Sequence, residues 1–304
     1  MYALWRPYRL GSWSTLAPER LTNLSVVRSL LAEVGVRPAK RFGQNFLVDR
    51  TLVSEIREHV RARNPDVVVE IGPGLGALTQ AIVEVAQSVV AVEIDERLSS
   101  SLAKRLSNHS NLEVRNGDIL TFDFKKEFEG QSILVLGSLP YRITTPILRH
   151  LIKHRSVISD VCLITQLEVA EKIAHSPGKN GSALGVFVHS FAFVSGMRRI
   201  RKGSFFPVPE VDSAYWELSF LSAPRFSADE AAFFTVVRTL YRNRRKMSRR
   251  ALQDLLPIDS IPGVLSTAEV DGTARGETLS FAELDRLAQV CTPLISPEQG
   301  IDDA

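Results

Sequence analysis

Cysteine is scarce, with two residues, Cys162 and Cys291, in a chain of 304. That excludes a disulfide framework and any Cys-rich zinc or iron–sulfur site, and a reducing compartment is expected. No apolar run approaches the roughly 20 residues of a membrane-spanning helix. The nearest, Ala183 to Val194, is too short and carries His189 and Ser190. The six histidines show no metal-ligand spacing and no Ser/Asp partnership, so no metal is expected. Internal repeats and low-complexity tracts are missing too. These absences point to a soluble, cytoplasmic protein with no membrane partner.

What is present is an ordinary globular composition, 44% apolar and 23% charged, which excludes disordered and collagenous chains. Two domains are natural at this length. Lys plus Arg number 37 against 34 Asp plus Glu, a small excess that is unevenly spread. Arg238 to Arg250 holds seven Lys/Arg among thirteen residues and no acid. Arg198, Arg199, Arg201 and Lys202 form a second knot, and Arg37, Lys40 and Arg41 a third. A single run is often just a solvated face; three together favour a polyanionic partner.

The first twenty residues are rich in Trp, Pro and Arg and show neither period; they are expected to be a loosely held extension. One expectation is that translation begins at position 21, with Leu21 standing for an alternative start. The spacing then predicts a helix over 24–34 closing at Gly35 and a helix over 51–63 capped by Asp49. Strands and helices alternate from there. Val67–Ile71, Val89–Ile94, Leu112–Arg115, Ser132–Leu136 and Val161–Gln166 read as strands, separated by helical stretches. Apolar, β-branched runs of this kind suit parallel strands buried on both faces. Ser195–Arg201 and Ala214–Phe220 read as a terminal antiparallel pair. The pattern breaks at 221–227, and beyond it helices are predicted over 228–256, 266–270 and 280–290, with a frayed tail.

The strongest local signal is Glu70-Ile71-Gly72-Pro73-Gly74-Leu75-Gly76, between a strand and a helix. Glycines there let backbone N–H groups approach a ligand. Seventeen residues after Gly76 the second strand ends in Glu93, followed by Ile94, and an acid at that place accepts hydrogen bonds from a ribose diol. Pro73 between the glycines, and Asp118 with Ile119 after the third strand, fit S-adenosyl-L-methionine better than a dinucleotide. Asp118 is expected to take the adenine amino group and Ile119 to pack on its ring. After the fourth strand comes Ser138-Leu139-Pro140-Tyr141. A side-chain oxygen and a main-chain carbonyl that accept the N–H bonds of an aryl amine localise its lone pair, while the aromatic ring stacks on the base.

The chain resembles the ribosomal RNA small-subunit dimethyladenosine transferase family from about Pro38 to Leu287. The resemblance is carried by KRFGQNFL from Lys40, EIGPGLGALT from Glu70, VEID from Val92, GDIL from Gly117 and GSLPYRITTPIL from Gly137. FFPVPEVDSA from Phe205, RNRRKMSRRAL from Arg242 and RGETLS from Arg275 extend it. It implies an α/β, class I S-adenosylmethionine-dependent methyltransferase fold, Rossmann-like, over 21–222, and a small helical RNA-binding domain over 223–304. It implies cofactor contacts at Gln44, Asn45, Leu47, Gly72, Gly74, Gly76, Glu93, Ile94, Asp118, Ile119 and Ser138. The catalytic set would be Ser138, Leu139, Pro140 and Tyr141, with Tyr141, Phe205 or Phe206 holding the base. RNA contact falls to Lys40, Arg41, Arg238, Arg242, Arg244, Arg245, Lys246 and Arg249; four of these, Arg238, Arg242, Arg245 and Arg249, are expected on one face of one helix. The activity implied is N6,N6-dimethylation of two adjacent adenosines near the 3′ end of 16S-type RNA, by a monomer acting on the assembling 30S particle.

The family usually has Asn where this chain has Ser138. Serine keeps an oxygen acceptor but is shorter and rotates freely. Retained activity with altered geometry, a slower second methylation, and RNA binding without catalysis are the three alternatives that follow. An antibiotic-resistance enzyme acting on 23S-type RNA is the nearest rival.

Overall fold

The computed structural model describes residues 21–37, 44–140 and 143–295. By contact these form two compact units, one of residues up to Leu167 with Ser195–Phe220, the other of Glu168–Val194 with the chain from Leu221 onward. The sequence expectation placed a single boundary near 222. The segment Glu168–Val194 therefore groups with the C-terminal helices, which no composition break announces.

The first unit opens with α1 (Leu24–Glu33), capped by the Asn23 side chain, which accepts the Ser25 N–H. After it come β1 (Phe46–Leu47) and α2 (Arg50–Arg63). Asp49 caps α2 by accepting the Leu52 N–H, satisfying one of the donors that every helix start leaves unpaired. The alternation then runs β2 (Val67–Ile71), α3 (Ala77–Ile82), β3 (Val89–Glu93), α4 (Glu96–Arg105), β4 (Leu112–Asn116), α5 (Phe124–Glu127), β5 (Ile133–Ser138), α6 (Thr144–Lys153) and β6 (Ile158–Gln166). Next come α7 (Leu167–Ala174), α8 (Ala183–Phe191), β7 (Ala192–Ile200), β8 (Phe205–Phe206) and β9 (Ser213–Phe220).

Seven strands form one sheet in the order β4-β3-β2-β5-β6-β9-β7. β4 through β6 are parallel neighbours, and β9 runs antiparallel to β6. Val67–Ile71 and Val89–Glu93 are buried at every position, as strands covered on both faces must be. The order reverses between β2 and β5, so the carboxyl ends of these two strands flank the crevice where such sheets bind ligands. A second, two-residue ribbon pairs β1 with β8, Phe46 opposite Phe206 and Leu47 opposite Phe205. Strands this short carry no period, and the sequence reading missed them.

The second unit contains α9 (Glu230–Arg242), α10 (Ser248–Ala251), α11 (Ile261–Thr267) and α12 (Phe281–Cys291), packed around buried Phe233, Leu240, Leu252 and Leu287. Ser280 and Glu283 cap α12 reciprocally. The single helix expected over 228–256 is not what forms. α9 ends at Arg242, and the backbone N–H groups of Ser248 and Arg249 donate to the Ala274 and Gly272 carbonyls instead of continuing the helical ladder. Arg238 and Arg242 therefore do not share a helix face with Arg245 and Arg249.

Candidate active site

The carboxyl ends of β2, β3 and β5 open onto one cleft, of about 1190 Å³ counting space open to solvent. The loop residues Gly72 to Leu75 line it. Gly74 has a φ of 57°, and a Cβ there would lie 3.1 Å from the Phe46 ring, so a side chain would strain the backbone and crowd that ring. The Gly74 N–H donates to Glu93 Oε2 at 2.9 Å, and the Asp95 N–H donates to Oε1 at 3.0 Å. Glu93 is thus tied at the end of β3 facing the loop, with burial pushing its pKa up against those bonds. Asp95 moves the other way, held down chiefly by the Arg97 guanidinium.

Glu70, on β2, is fully buried and lines the same cleft. Burial, reinforced by Glu93, pushes its carboxyl up to about 7. Thr79 of α3, hydrogen-bonding to the carboxyl, opposes that rise. On the far side, Asp118 caps the turn Ile119–Thr121 by accepting the Leu120 N–H at 2.9 Å. Ile94 is 56% exposed and Ile119 is buried, and both line the cleft. Two apolar side chains next to a carboxylate form a slot suited to a flat heterocycle with an amino edge.

The end of β5 supplies the other wall. A Cβ at Gly137 would lie 2.7 Å from the Ile71 carbonyl oxygen, so the glycine lets β5 and β2 approach closely where they meet the cleft. Ser138, Leu139 and Pro140 follow directly and line it. The Leu139 N–H donates to the Ile164 carbonyl at 2.9 Å, which ties down the residue whose own carbonyl, on the following peptide, is the second expected acceptor. Ser138 is half-buried, and its hydroxyl makes no hydrogen bond with a described residue.

Of the residues predicted from sequence, Gln44, Asn45, Leu47, Gly72, Gly74, Glu93 and Ile94 line this cleft. So do Asp118, Ile119, Phe205 and the run Ser138 to Pro140. Gly76 and Phe206 do not. Phe206 pairs with Phe46 and carries the Arg28 guanidinium 5.1 Å from its ring centre. Tyr141, Lys40 and Arg41 lie outside the described residues. Arg238 is half-buried and donates to Thr235 Oγ1, and Arg244 reaches the buried Glu277 carboxylate and the Lys179 carbonyl. Arg242, Arg245, Lys246 and Arg249 are exposed. Sequence reasoning missed Leu21 and Val27 of the N-terminal segment and Ser213 of β9, all cleft-lining. No local pattern marks them. Glu70 was visible in the glycine block but carried no assignment.

The family profile described as ribosomal RNA adenine dimethylase matches residues 36–291. The chain belongs to that family. It is 37% identical over 255 residues to the ribosomal RNA small subunit methyltransferase A of Pseudomonas aeruginosa, covering 83% of this chain and 94% of that one. To the protein of the same description from Moorella thermoacetica it is 38% identical over 276 residues, covering 86% and 96%. Among solved structures, the 23S rRNA methyltransferase ErmE is 29% identical with a TM-score of 0.63, over 81% of this chain and 99% of that one. A dimethyladenosine transferase from Plasmodium falciparum, 23% identical with a TM-score of 0.69 over 81% and 97%, shares the fold.

This dimethylase is an S-adenosyl-L-methionine-dependent enzyme, and its cleft suits that cofactor on physical grounds. Glu70, Glu93 and Asp118 line the cleft, and an acidic lining suits a molecule that carries a sulfonium and an ammonium. A Cβ at Gly72, which has a φ of 66°, would meet no atom within 4 Å, so the loop leaves open space there. Among the described residues no helix is long and apolar enough to cross a membrane, and no group of three His, Cys, Asp or Glu is placed to hold a metal ion.

Proposed function

We propose that this chain dimethylates N6 of two adjacent adenosines near the 3′ end of 16S-type ribosomal RNA, acting in the cytoplasm as a monomer on the assembling 30S particle. The observation that carries the reading is the convergence of Ser138 and Leu139 on the same cleft as Glu93 and Asp118. The bound cofactor supplies a methyl group already activated by a sulfonium. The chain's task is then to present a weakly nucleophilic aryl amine. Ser138 Oγ and the Leu139 carbonyl accept its two N–H bonds, which draws the nitrogen lone pair out of conjugation. No strong general base is needed, because the amine proton leaves after the new bond forms. Glu93 holds the ribose diol, Asp118 the adenine amino group, and Ile94 with Ile119 the ring faces. Tyr141 and Phe205 hold the extruded target base. Arg242, Arg245, Lys246 and Arg249 take the RNA phosphates.

The shorter serine is compatible with activity, since it keeps an acceptor oxygen at the strand end. Ser138→Ala is expected to lower methyl transfer to undermethylated 30S particles about tenfold, the loss expected for one positioning hydrogen bond. Ser138→Asn is expected to retain or raise it. An alanine variant as active as the parent would remove the hydroxyl from the mechanism. Mass spectrometry of the small-subunit RNA 3′ region from strains with and without the protein reads the target directly. Methylation found only in the large-subunit RNA would overturn the assignment.

A further inference from the structure

The glycine loop is held from behind as well as from the cleft. Arg105 ends α4, is 8% exposed, and donates from Nη2 to the Leu75 carbonyl at 2.7 Å. That is the hydrogen bond its side chain makes among the described residues, and its Nε has no partner there. Burying a guanidinium for a single acceptor is costly, so the contact invites a reason. Burial pulls its pKa down to about 10, with Glu33 opposing the shift, and the group stays cationic at neutral pH.

The peptide between Leu75 and Gly76 is pinned at both ends. Its carbonyl accepts from Arg105, and its N–H donates to the Pro73 carbonyl at 2.8 Å. Rotating that peptide would break both bonds and move Gly74, whose N–H is bound to Glu93. Leu75 itself lines the cleft. Behind it, a Cβ at Gly76 would lie 2.4 Å from Leu102 Cδ1 and 3.7 Å from Arg105 Nη2, so α4 packs directly on the loop. We propose that Arg105 is a positioning residue for S-adenosyl-L-methionine: it clamps the Leu75–Gly76 peptide from outside the cleft so that the loop and Glu93 are pre-set before the cofactor arrives. A pre-set loop spends less of the binding energy on ordering.

The inference rests on this cleft being the cofactor site, so cofactor binding to the parent is measured first. Calorimetric titration with S-adenosyl-L-methionine is expected to give a Kd about tenfold weaker for Arg105→Met, the scale of one charge-assisted hydrogen bond. KM for the cofactor should rise in parallel, with kcat within about twofold. Arg105→Lys, which keeps a cationic donor, should recover most of the affinity. Should Arg105→Met not fold, Arg105→Gln replaces it against Arg105→Lys. Leu106→Ala removes a buried side chain from the residue that follows the same helix and serves as the control for lost packing. It should lower Tm while leaving Kd unchanged. Amide exchange at Gly74 and Gly76 in the cofactor-free protein should quicken in Arg105→Met and not in Leu106→Ala. Equal Kd for parent and Arg105→Met, or equal weakening by Leu106→Ala, would overturn the clamp. Failure of the parent to bind the cofactor would overturn the functional reading itself.

Discussion

Gly137 shows how a single position sets the active-site wall. The 2.7 Å that would separate an added Cβ from the Ile71 carbonyl cannot be relieved by side-chain rotation, because the obstacle is backbone. Gly137→Ala must therefore push β5 away from β2 and carry Ser138 with it. Such overpacking costs about 1–3 kcal/mol, and urea denaturation should show a loss in that range together with reduced methyl transfer. A Gly137→Ala protein with unchanged stability and activity would show that the strand end yields more easily than its packing implies.

The β1·β8 ribbon is the element that brings Phe205 to the cleft. Two residues of pairing are weak alone, and the ribbon is tied down by its flanks. The Val48 N–H donates to the Ser204 carbonyl at 2.8 Å, and Ser204 Oγ donates to Asp49 Oδ2 at 2.8 Å. Asp49 uses its other oxygen to cap α2. Asp49→Ala should then cost more than a helix cap, about 1 kcal/mol, by roughly the further 0.5–1.5 kcal/mol of the lost bond. Ser204→Ala should cost the latter alone. A double-mutant cycle read by denaturation is expected to give coupling between the two positions. Additive losses would mean that the serine and the cap act independently.

For the molecule as a whole, stability has a pH dependence written into the cofactor cleft. Glu70 is raised from 4.5 to about 7 by burial, then by Glu93. A carboxyl raised on folding contributes stability that is complete below about 4.5 and is lost as pH rises through about 7. With about 1.36 kcal/mol for each pH unit between those two values, the change is of the order of 3 kcal/mol. Chemical denaturation of the cofactor-free protein across that window should show the fall, and Glu70→Gln should flatten it; an unaltered slope in the variant would assign the fall elsewhere. The basic stretch from the end of α9 into α10 governs a second global property. RNA affinity should drop steeply with salt, and alanine at Arg242, Arg245, Lys246 or Arg249 should each reduce the slope by about one. A salt response that is flat, or unchanged in all four variants, would remove this stretch from the RNA interface.

Much of this architecture is local information, which a linear chain displays openly. Buried parallel strands announce themselves as β-branched runs, Asp49 stands where a helix start needs an acceptor, and the glycine loop, Glu93, Asp118 and Ser138 each sit at a strand end. Their strand ends all face one way in a parallel sheet, so the chain order alone implied a common cleft. Contacts between residues far apart in sequence leave no such mark. The pairing of Phe46 with Phe206, the arrival of Leu21 and Ser213 in the cleft, and the bond from Arg105 to Leu75 each depend on how complete elements pack. The break after Arg242 has the same origin. Residues 243 to 247 have no helix-stopping Gly or Pro, yet Ser248 and Arg249 find acceptors at Ala274 and Gly272, and those distant carbonyls outcompete the next helical turn. Periodicity reports what a segment can bury; which partner it meets is decided only when the rest of the chain has folded around it.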